Sequence, residues 1–282
     1  MNMEKDKLEE LKLLSAKIRK DVLEMLEKRG YGHMGGSLSI VELMSVLYGK
    51  QLRYDAKNPD CEGRDMVVLS KGHSGPAWYS VLAEKGFFSK EELHKEFSKY
   101  GSKFIGHPNN KLPGIEMNSG SLGHGLPVCV GMALAGKMNK RDYRVYTVMG
   151  DGELAEGSVW EGAMAAHQYK LDNLCAVVDR NRLQISGNTE DVMGHDDLHE
   201  RFRSFGWHVI DVADGNDIDQ LAAAFNEAKT VKGQPTVLIA NTVKGKGSSV
   251  MEDKANWHHK VPTAEEYEQI MADFKKAEEA LQ

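Results

Sequence analysis

The sequence predicts an α/β fold in which a mostly parallel sheet carries helices on both faces. Short apolar runs of strand length alternate with helical segments along the second half of the chain, and this order favours parallel strands joined by helices. Gly-rich and charged segments follow four of the apolar runs directly, at the strand ends where such sheets bind ligands. No internal repeat, linker or low-complexity segment interrupts the pattern, so we expect a single domain over residues 1–282.

Each element follows from its hydrophobic spacing and its end signals. Apolar residues repeat at helical spacing from Leu8 to Leu26, and Gly30 ends that helix. A second helix is expected from Ser39 to about Leu52, capped by Ser39 or Ser37. The other predicted elements are a strand at 66–69, a helix ending at 83, a long loop at about 100–123, a helix at 125–138, a strand at 145–149, a helix at 158–169, strands at 175–178 and 209–212, a helix at 218–231, a strand at 235–240 and a last helix from about 264.

Composition and charge exclude several classes of function. Apolar residues make up 41% and charged residues 28% of the chain, as in ordinary globular proteins. The net charge is -6 and no basic block is present, so we expect no nucleic-acid partner. Cys61, Cys129 and Cys175 lack the spacing of a metal site or a disulfide framework. The charged N-terminus is unlike a secretory signal and no apolar run reaches membrane-spanning length, so we expect a cytoplasmic protein without membrane contact.

An aspartate lies between two glycines at the end of one predicted strand, in Gly150-Asp151-Gly152. Asn181 follows the next strand after one intervening helix, so the two side chains should meet at one sheet edge. A carboxylate, an amide oxygen and a carbonyl from the turn after Asn181 suit Mg²⁺ or Ca²⁺, and Mg²⁺ commonly adds phosphate oxygens. The glycines would let such an anion approach the backbone. For the Gly-Asp-Gly run alone, a helix-capping aspartate in an ordinary turn explains the sequence equally well.

The run "GDG" followed by "VVDRN" (177–181) resembles the signature of thiamine-diphosphate enzymes. This resemblance implies the diphosphate-type domain of the thiamine-diphosphate-binding fold, with Arg180 in place of a second asparagine. It also implies a metal held by Asp151, Asn181 and the carbonyl of Leu183. The segments "GHMGGSLSIVELM" (32–44), "RDMVVLSKGH" (64–73), "GHP" (106–108), "NSGSLGHGLPVCVGMALAGK" (118–137), "VKGKG" (243–247) and "WHHK" (257–260) resemble, in order and spacing, the amino-terminal half of transketolase.

The resemblance implies four active-site histidines that contact the cofactor diphosphate, the substrate hydroxyls and the transferred ketol unit. They are His33, His73, His107 and His258. Imidazole suits this role because it donates, accepts and shuttles protons near neutral pH. His259 stands where the family commonly has glycine, so the sequence leaves open which of His258 and His259 faces the site, and His124 replaces a family glutamine. The remaining histidines are expected to be ordinary surface or core residues, namely His94, His167, His195, His199 and His208.

Further cofactor contacts are implied by the same resemblance. The carbonyl of Gly120 in "SGSLG" would accept from the aminopyrimidine and Leu122 would pack beneath the ring system, although a plain turn would give the same sequence. Glu156 matches a carboxylate at the family's subunit interface and, four residues into a helix after Gly152, would equally fit a first-turn acid. The full set of expected cofactor-binding residues is His73, Gly120, Leu122, Gly150, Asp151, Gly152, Glu156, Asn181 and Leu183.

The expected activity is transfer of a two-carbon ketol unit from a ketose phosphate to an aldose phosphate, as in pentose phosphate metabolism. The resemblance implies a split transketolase, in which this subunit works with a second chain carrying the pyrimidine and C-terminal domains. That chain would supply the glutamate that activates the cofactor, and the two would form a heterotetramer. Two alternatives remain: the α subunit of a 2-oxo-acid dehydrogenase E1 component, and a non-catalytic thiamine-binding subunit.

Overall fold

A computed structural model describes the backbone of residues 2–281 and the side chains of residues 6–281. The strands are β1 (Met66–Leu69), β2 (Val145–Gly150), β3 (Leu174–Arg180), β4 (Leu183–Gln184), β5 (Gly187–Asn188), β6 (His208–Val212) and β7 (Thr236–Asn241). The helices are α1 (Asn2–Arg29), α2 (Met34–Leu38), α3 (Val41–Val46), α4 (Gly75–Glu84), α5 (Lys90–Glu96), α6 (Gly125–Met138), α7 (Gly157–Gln168), α8 (Thr189–Met193), α9 (Leu198–Ser204), α10 (Ile218–Thr230) and α11 (Ala264–Glu279).

Five strands form a wholly parallel sheet in the order β1-β2-β3-β7-β6, and β4 pairs with β5 in a separate antiparallel hairpin. Gly150 pairs with Asp179 across β2 and β3. Asp151 and Asn181 therefore leave the sheet at the ends of adjacent strands, as the sequence predicts. The carboxyl ends of β1 and β7 lie at the same edge, because every strand runs in the same direction.

The core lies on both faces of the sheet. Tyr146 and Val148 of β2 belong to a cluster with α1, α3, α4 and α10, whereas Val145 and Met149 belong to a second cluster with α6 and α7. This alternation follows from the two-residue period of a strand. Helices therefore cover both faces, which confirms the predicted fold class and explains why the strands read as continuous apolar runs. Among the described residues, no helix is both long and apolar enough to cross a membrane.

The helix predicted from Ser39 to about Leu52 is confirmed within two residues at each end, since α3 continues directly into a π-helical turn at 47–51, but its predicted cap is wrong. The short helix α2 was not predicted, and a break at Ser39 and Ile40 separates it from α3. Ser37 Oγ donates to the carbonyl of His33 at 2.7 Å, and Ser39 Oγ donates to Asp179 Oδ2 at 2.8 Å. Neither serine caps a helix, because each hydroxyl is engaged elsewhere.

The other predicted elements begin and end within about two residues of their predicted limits, except that α1 begins at Asn2, ahead of the apolar repeat that starts at Leu8. Several short elements were not predicted, namely α5, α8, α9, the β4–β5 hairpin and a 3₁₀ turn at 152–155. This 3₁₀ turn corrects the placement of Glu156. The residue lies just before α7 in extended conformation (φ -74°, ψ 125°), so it is not an acid of the first helical turn.

Candidate active site

A cavity of about 430 Å³ opens beyond the carboxyl ends of β1, β2, β3 and β7. Its walls contain every residue expected from the sequence to bind cofactor, metal or substrate, except Glu156. They are His33, His73, His107, Gly120, Leu122, Gly150, Asp151, Gly152, Asn181, Leu183 and His258. The fold therefore brings together residues that are up to 225 positions apart in the sequence, counted from 33 to 258.

The four predicted histidines form one cluster around His33. The ring centroid of His33 lies 5.2 Å from that of His73, 5.9 Å from His107 and 5.5 Å from His258. Burial, together with positive neighbours that include Lys244, lowers the pKa of His33 to about 4 and that of His258 to about 3. Burial also lowers the pKa of His73 and of His107. All four imidazoles are therefore neutral at pH 7.

His258, rather than His259, lines the cavity. Its Nδ1 lies 2.8 Å from Lys244 Nζ. Because an ammonium group only donates, Nδ1 accepts and the ring proton is on Nε2. His259 is exposed, and its ring lies 4.6 Å from His33 and 5.1 Å from Tyr31, beside the cluster.

Asp151 is buried, with 3% of its surface exposed. Its Oδ1 accepts from the Gly152 N–H at 2.9 Å, and its Oδ2 accepts from the Arg182 N–H at 2.7 Å and from Thr189 Oγ1 at 3.3 Å. Burial and the neighbouring Asp179 carboxylate raise the pKa of Asp151 to about 6. Both carboxylate oxygens are thus fixed in place, while the negative charge lacks a close cationic partner among the described residues.

The other two expected metal ligands are held by the same turn. Asn181 Nδ2 donates to Asp179 Oδ2 at 2.9 Å, and Asn181 Oδ1 accepts from the Leu183 N–H at 3.1 Å. The Leu183 carbonyl accepts from Lys244 Nζ at 3.0 Å. A carboxylate, an amide oxygen and a carbonyl oxygen therefore line the same cavity. The ammonium of Lys244 already contacts the carbonyl oxygen.

A buried ion pair between Lys71 and Asp179 supports the turn that contains Asn181. Lys71 is 1% and Asp179 is 0% exposed, and the Lys71 ammonium donates to the Asp179 carboxylate and, at 2.9 Å, to the Gly36 carbonyl. Asp179 also accepts from Ser39 and Thr242. Although burial alone would raise the pKa of Asp179, the ammonium of Lys71 and these donors hold it below its usual value. Sequence reasoning did not single out this pair, although a charge ending the apolar run "AVVD" was a signal.

Three more residues at the site were missed, namely Glu153, Lys244 and His195. Glu153 is 2% exposed and accepts from Ser70, from the Gly123 N–H at 2.8 Å and from the Gly150 N–H at 3.1 Å, so one carboxylate ties together three segments of the cavity wall. Burial, together with the charge of Lys71, lowers the pKa of Lys244 to about 8.

His195 was expected to be an ordinary surface or core residue, and it is buried. However, its ring Nε2 lies 2.8 Å from the carbonyl oxygen of Asp151, and its Nδ1 lies 3.3 Å from Arg201 Nη1. Nε2 therefore carries the proton and donates to that carbonyl. The histidine fixes the backbone of the residue expected to bind metal, so it supports the site without lining the cavity.

Glycine is favoured at Gly120 by its backbone conformation, whereas a side chain at Gly152 would require Gln184 to move. Gly120 has a φ of +147°, and a Cβ there would lie 3.0 Å from His107 Cδ2. A Cβ on Gly152 would lie 2.4 Å from Gln184 Oε1. At Gly150, by contrast, a Cβ would meet only Lys71 Cβ, at 4.0 Å, so this backbone faces open space in the cavity.

The match to known proteins agrees with this geometry. The family described as "Transketolase, thiamine diphosphate binding domain" matches residues 11–277. The chain belongs to the transketolase family. This confirms the resemblance seen in the motifs, together with the transferase class and thiamine diphosphate as the cofactor of the domain.

Some relatives within the transketolase family have nearly the same length as this chain. The chain is 46% identical to an apulose-4-phosphate transketolase subunit of Phocaeicola vulgatus over 275 residues, which covers 98% of this chain and 97% of the relative. It is 42% identical to the 6-deoxy-6-sulfo-D-fructose transketolase subunit SqwG of a Clostridium species, covering 92% of this chain and 94% of the relative. The solved transketolase of Campylobacter jejuni superposes with a TM-score of 0.89 at 27% identity, covering 97% of this chain and 46% of that enzyme.

Proposed function

We propose that this chain is the diphosphate-binding subunit of a two-chain, thiamine-diphosphate-dependent transketolase. It transfers a two-carbon ketol unit from a ketose phosphate to an aldose phosphate, together with a partner chain that carries the pyrimidine and C-terminal domains. The observation that carries this proposal is the convergence of Asp151, Asn181 and four neutral histidines on one cavity. Its resemblance to relatives named as transketolase subunits along nearly their whole length supports the two-chain arrangement.

The residues at the strand ends fit a hard divalent cation, Mg²⁺ or Ca²⁺. The three expected ligands offer only oxygen, which these cations prefer, and Asp151 supplies the single carboxylate. Such a set of three ligands leaves coordination positions on the cation for diphosphate oxygens. We therefore assign Asp151, Asn181 and the Leu183 carbonyl to the metal, while Gly150 leaves room for the anion to approach the backbone. Lys244, which bonds the Leu183 carbonyl at 3.0 Å, would shift toward the diphosphate.

Thiamine diphosphate, when bound, supplies the nucleophilic carbon and the electron sink for ketol transfer. The chain's own residues bind the cofactor, orient the substrate and move protons. His73 contributes to diphosphate binding, and His33, His107 and His258 contact the substrate hydroxyls and the transferred unit. The neutral state of His33 and His107 at pH 7 allows each to accept a hydroxyl proton, whereas His258, whose Nδ1 accepts from Lys244, can donate its Nε2 proton. Lys71 and Lys244 disfavour a lasting imidazolium, so an accepted proton is readily returned.

The positions of Gly120, Leu122 and Glu156 suggest their contacts with the cofactor and the partner chain. The Gly120 carbonyl and the half-buried Leu122 line the cavity and would meet the pyrimidine and thiazole rings of the cofactor. Glu156 is exposed just outside the cavity, where it would face the partner chain. The assembly proposed is a heterotetramer, with two copies of each chain and the cofactor between them.

The test is reconstitution of the two-chain enzyme. The chain is purified alone and, separately, after co-expression with a chain carrying the pyrimidine and C-terminal domains, and ketol transfer is measured with a ketose phosphate donor and ribose 5-phosphate. We expect activity only for the pair, because the glutamate that activates the cofactor belongs to the partner. Full turnover by the single chain would overturn the two-chain arrangement.

Donor specificity separates further possibilities in the same assay. Apulose 4-phosphate and 6-deoxy-6-sulfofructose are included because two relatives are named for them. Oxidative decarboxylation of pyruvate and other 2-oxo acids is measured in parallel. If decarboxylation were found and ketol transfer were absent for all donors, the 2-oxo-acid dehydrogenase alternative would replace our proposal. Metal-dependent cofactor binding without either reaction would favour a non-catalytic subunit.

A further inference from the structure

A second cavity, of about 520 Å³, lies at the opposite edge of the main sheet. Asp65, Arg144 and Asn173 line it, and they directly precede β1, β2 and β3. Because the strands are parallel, their amino ends share the edge opposite the active site. β2 has six residues, each spanning about 3.3 Å, so roughly 20 Å separates the two cavities. We call this second site the basal cavity.

Positive charge dominates the basal cavity. Seven lysine and arginine side chains line it, against three aspartates. Arg53 is paired with Asp65 and Asp142, and Arg141 is paired with Glu62. Within the described part of the chain, the other five cationic groups have no carboxylate within 4.0 Å. They are Lys137, Lys140, Arg144, Lys229 and Lys232.

Helix ends explain only part of this charge. Helices α6, α7 and α10 end near the basal cavity, and the Lys137 ammonium donates to two carbonyls after α7, at 3.2 Å and 2.6 Å. Each helix end carries about half a negative charge, which favours nearby cations. Three ends therefore offset roughly 1.5 charges, whereas the lining carries an excess of four cations, which the pairing of Arg141 with Glu62 reduces to three. Roughly 1.5 positive charges therefore remain without compensation.

The buried wall of the cavity also has unused polar groups. Arg144 Nε, Asn173 Oδ1 and Gln51 Oε1 are buried and lack a partner among the described residues. Among the described residues, the Arg144 guanidinium bonds only the Ala228 carbonyl, at 3.1 Å. Burial lowers the pKa of Lys229; the Asp65 carboxylate opposes this shift, whereas the charges of Arg144 and Arg53 add to it. An anion bound between Lys229 and Arg144 would relieve the repulsion between these two cations.

We propose that the basal cavity binds a small phosphate-bearing anion, either inorganic phosphate or a phosphate monoester of a sugar. Its volume is within the range of small-ligand pockets, about 300–1,000 Å³. Arg144 and Lys229 form the inner, half-buried part of the site, and Lys140 and Lys232 form its exposed rim. This site is independent of the active-site cavity and of the reaction proposed above.

The test is calorimetric titration of the full chain with inorganic phosphate and with glucose 6-phosphate, in metal-free buffer. Replacing both rim residues, Lys140→Gln with Lys232→Gln, should weaken binding about tenfold, since two solvent-exposed charge contacts of less than about 1 kcal/mol each are lost. The control, Lys275→Gln with Lys276→Gln, removes the same charge from the exposed face of α11 and should change nothing.

A further variant, Lys244→Gln, removes a cation from the active-site cavity and should leave anion binding unchanged. Tighter binding of glucose 6-phosphate than of phosphate would identify an ester as the ligand, and equal binding would identify the inorganic anion. The proposal fails if neither probe binds at millimolar concentration. It also fails if the rim variant binds as tightly as the parent, or if only the Lys244 variant loses binding.

Discussion

Replacing Asp179 by asparagine tests the buried ion pair beneath the active site. Asparagine keeps the shape of the side chain but removes its charge, which leaves the Lys71 ammonium unpaired at 1% exposure. Breaking one partner of a buried pair costs about 3–5 kcal/mol of unfolding free energy. A domain has only about 5–15 kcal/mol in total. We therefore expect Asp179→Asn to be among the most destabilising single substitutions in this chain.

The assay is urea unfolding followed by far-UV circular dichroism at pH 7. Asp211→Asn serves as a control, because this aspartate is half exposed and paired with His199 on the surface, so its loss should cost about 1 kcal/mol or less. Lys71→Met is measured alone and combined with Asp179→Asn. Since the combination leaves no unpaired charge, its cost should fall short of the sum by about 2 kcal/mol. A cost below about 1 kcal/mol for Asp179→Asn, or strict additivity, would refute this reasoning.

Asp179 also orients a proposed metal ligand. Asn181 Nδ2 donates to Asp179 Oδ2 at 2.9 Å, which fixes which end of the amide is a nitrogen and leaves its oxygen for the cavity. Loss of such a supporting contact typically lowers metal affinity 10–100-fold. Metal-dependent binding of thiamine diphosphate to the reconstituted pair should fall by about this factor in Asp179→Asn, under conditions where the variant is folded. Unchanged affinity would show that the amide is oriented by other contacts.

Three further predictions concern the active site. Asp151→Ala should abolish calorimetrically detectable binding of thiamine diphosphate with Mg²⁺ while the circular dichroism spectrum is retained; unchanged affinity would exclude Asp151 as a metal ligand. The pKa of Asp151 is about 6, and a proton competes with the metal for this carboxylate, so cofactor affinity should fall about tenfold per unit below pH 6. A flat profile from pH 7 to 5 would contradict this. In the reconstituted enzyme, His258→Ala should lower kcat/KM by about 100-fold and His259→Ala by about threefold at most; the opposite ranking would exchange their roles.

The sheet and the expected metal ligands were predictable because their signals are local. Each long strand is an apolar run, and parallel strands place their carboxyl ends at one edge whatever the side chains between them. Two short motifs were therefore enough to predict that Asp151 and Asn181 lie close together. Even so, the choice between His258 and His259 needed coordinates, because adjacent residues in a loop carry no periodicity that tells which one faces a cavity.

The hydrogen bonds that hold Asp179 and Asp151 in place were not predictable, since they join segments distant in the sequence. Ser39 reaches Asp179 across 140 positions, and His195 reaches the Asp151 carbonyl across 44. Short elements were missed for a different reason. Helix α9 has seven residues, too few for a hydrophobic period. However, Asp197 caps it by accepting from the His199 and Glu200 N–H groups, and an aspartate just before an apolar residue is a usable start signal.

The charge balance of the active-site cavity indicates that the proposed metal and the diphosphate would bind together. Its lining carries two cations, Lys71 and Lys244, and two acids, Asp151 and Glu153. Lys71 is already paired with Asp179, so the cavity offers no excess positive charge to a diphosphate alone. A metal alone would meet only one free carboxylate, whose burial favours the proton instead. Each ligand supplies the charge that the other lacks, so the affinity of either one should depend on the concentration of the other.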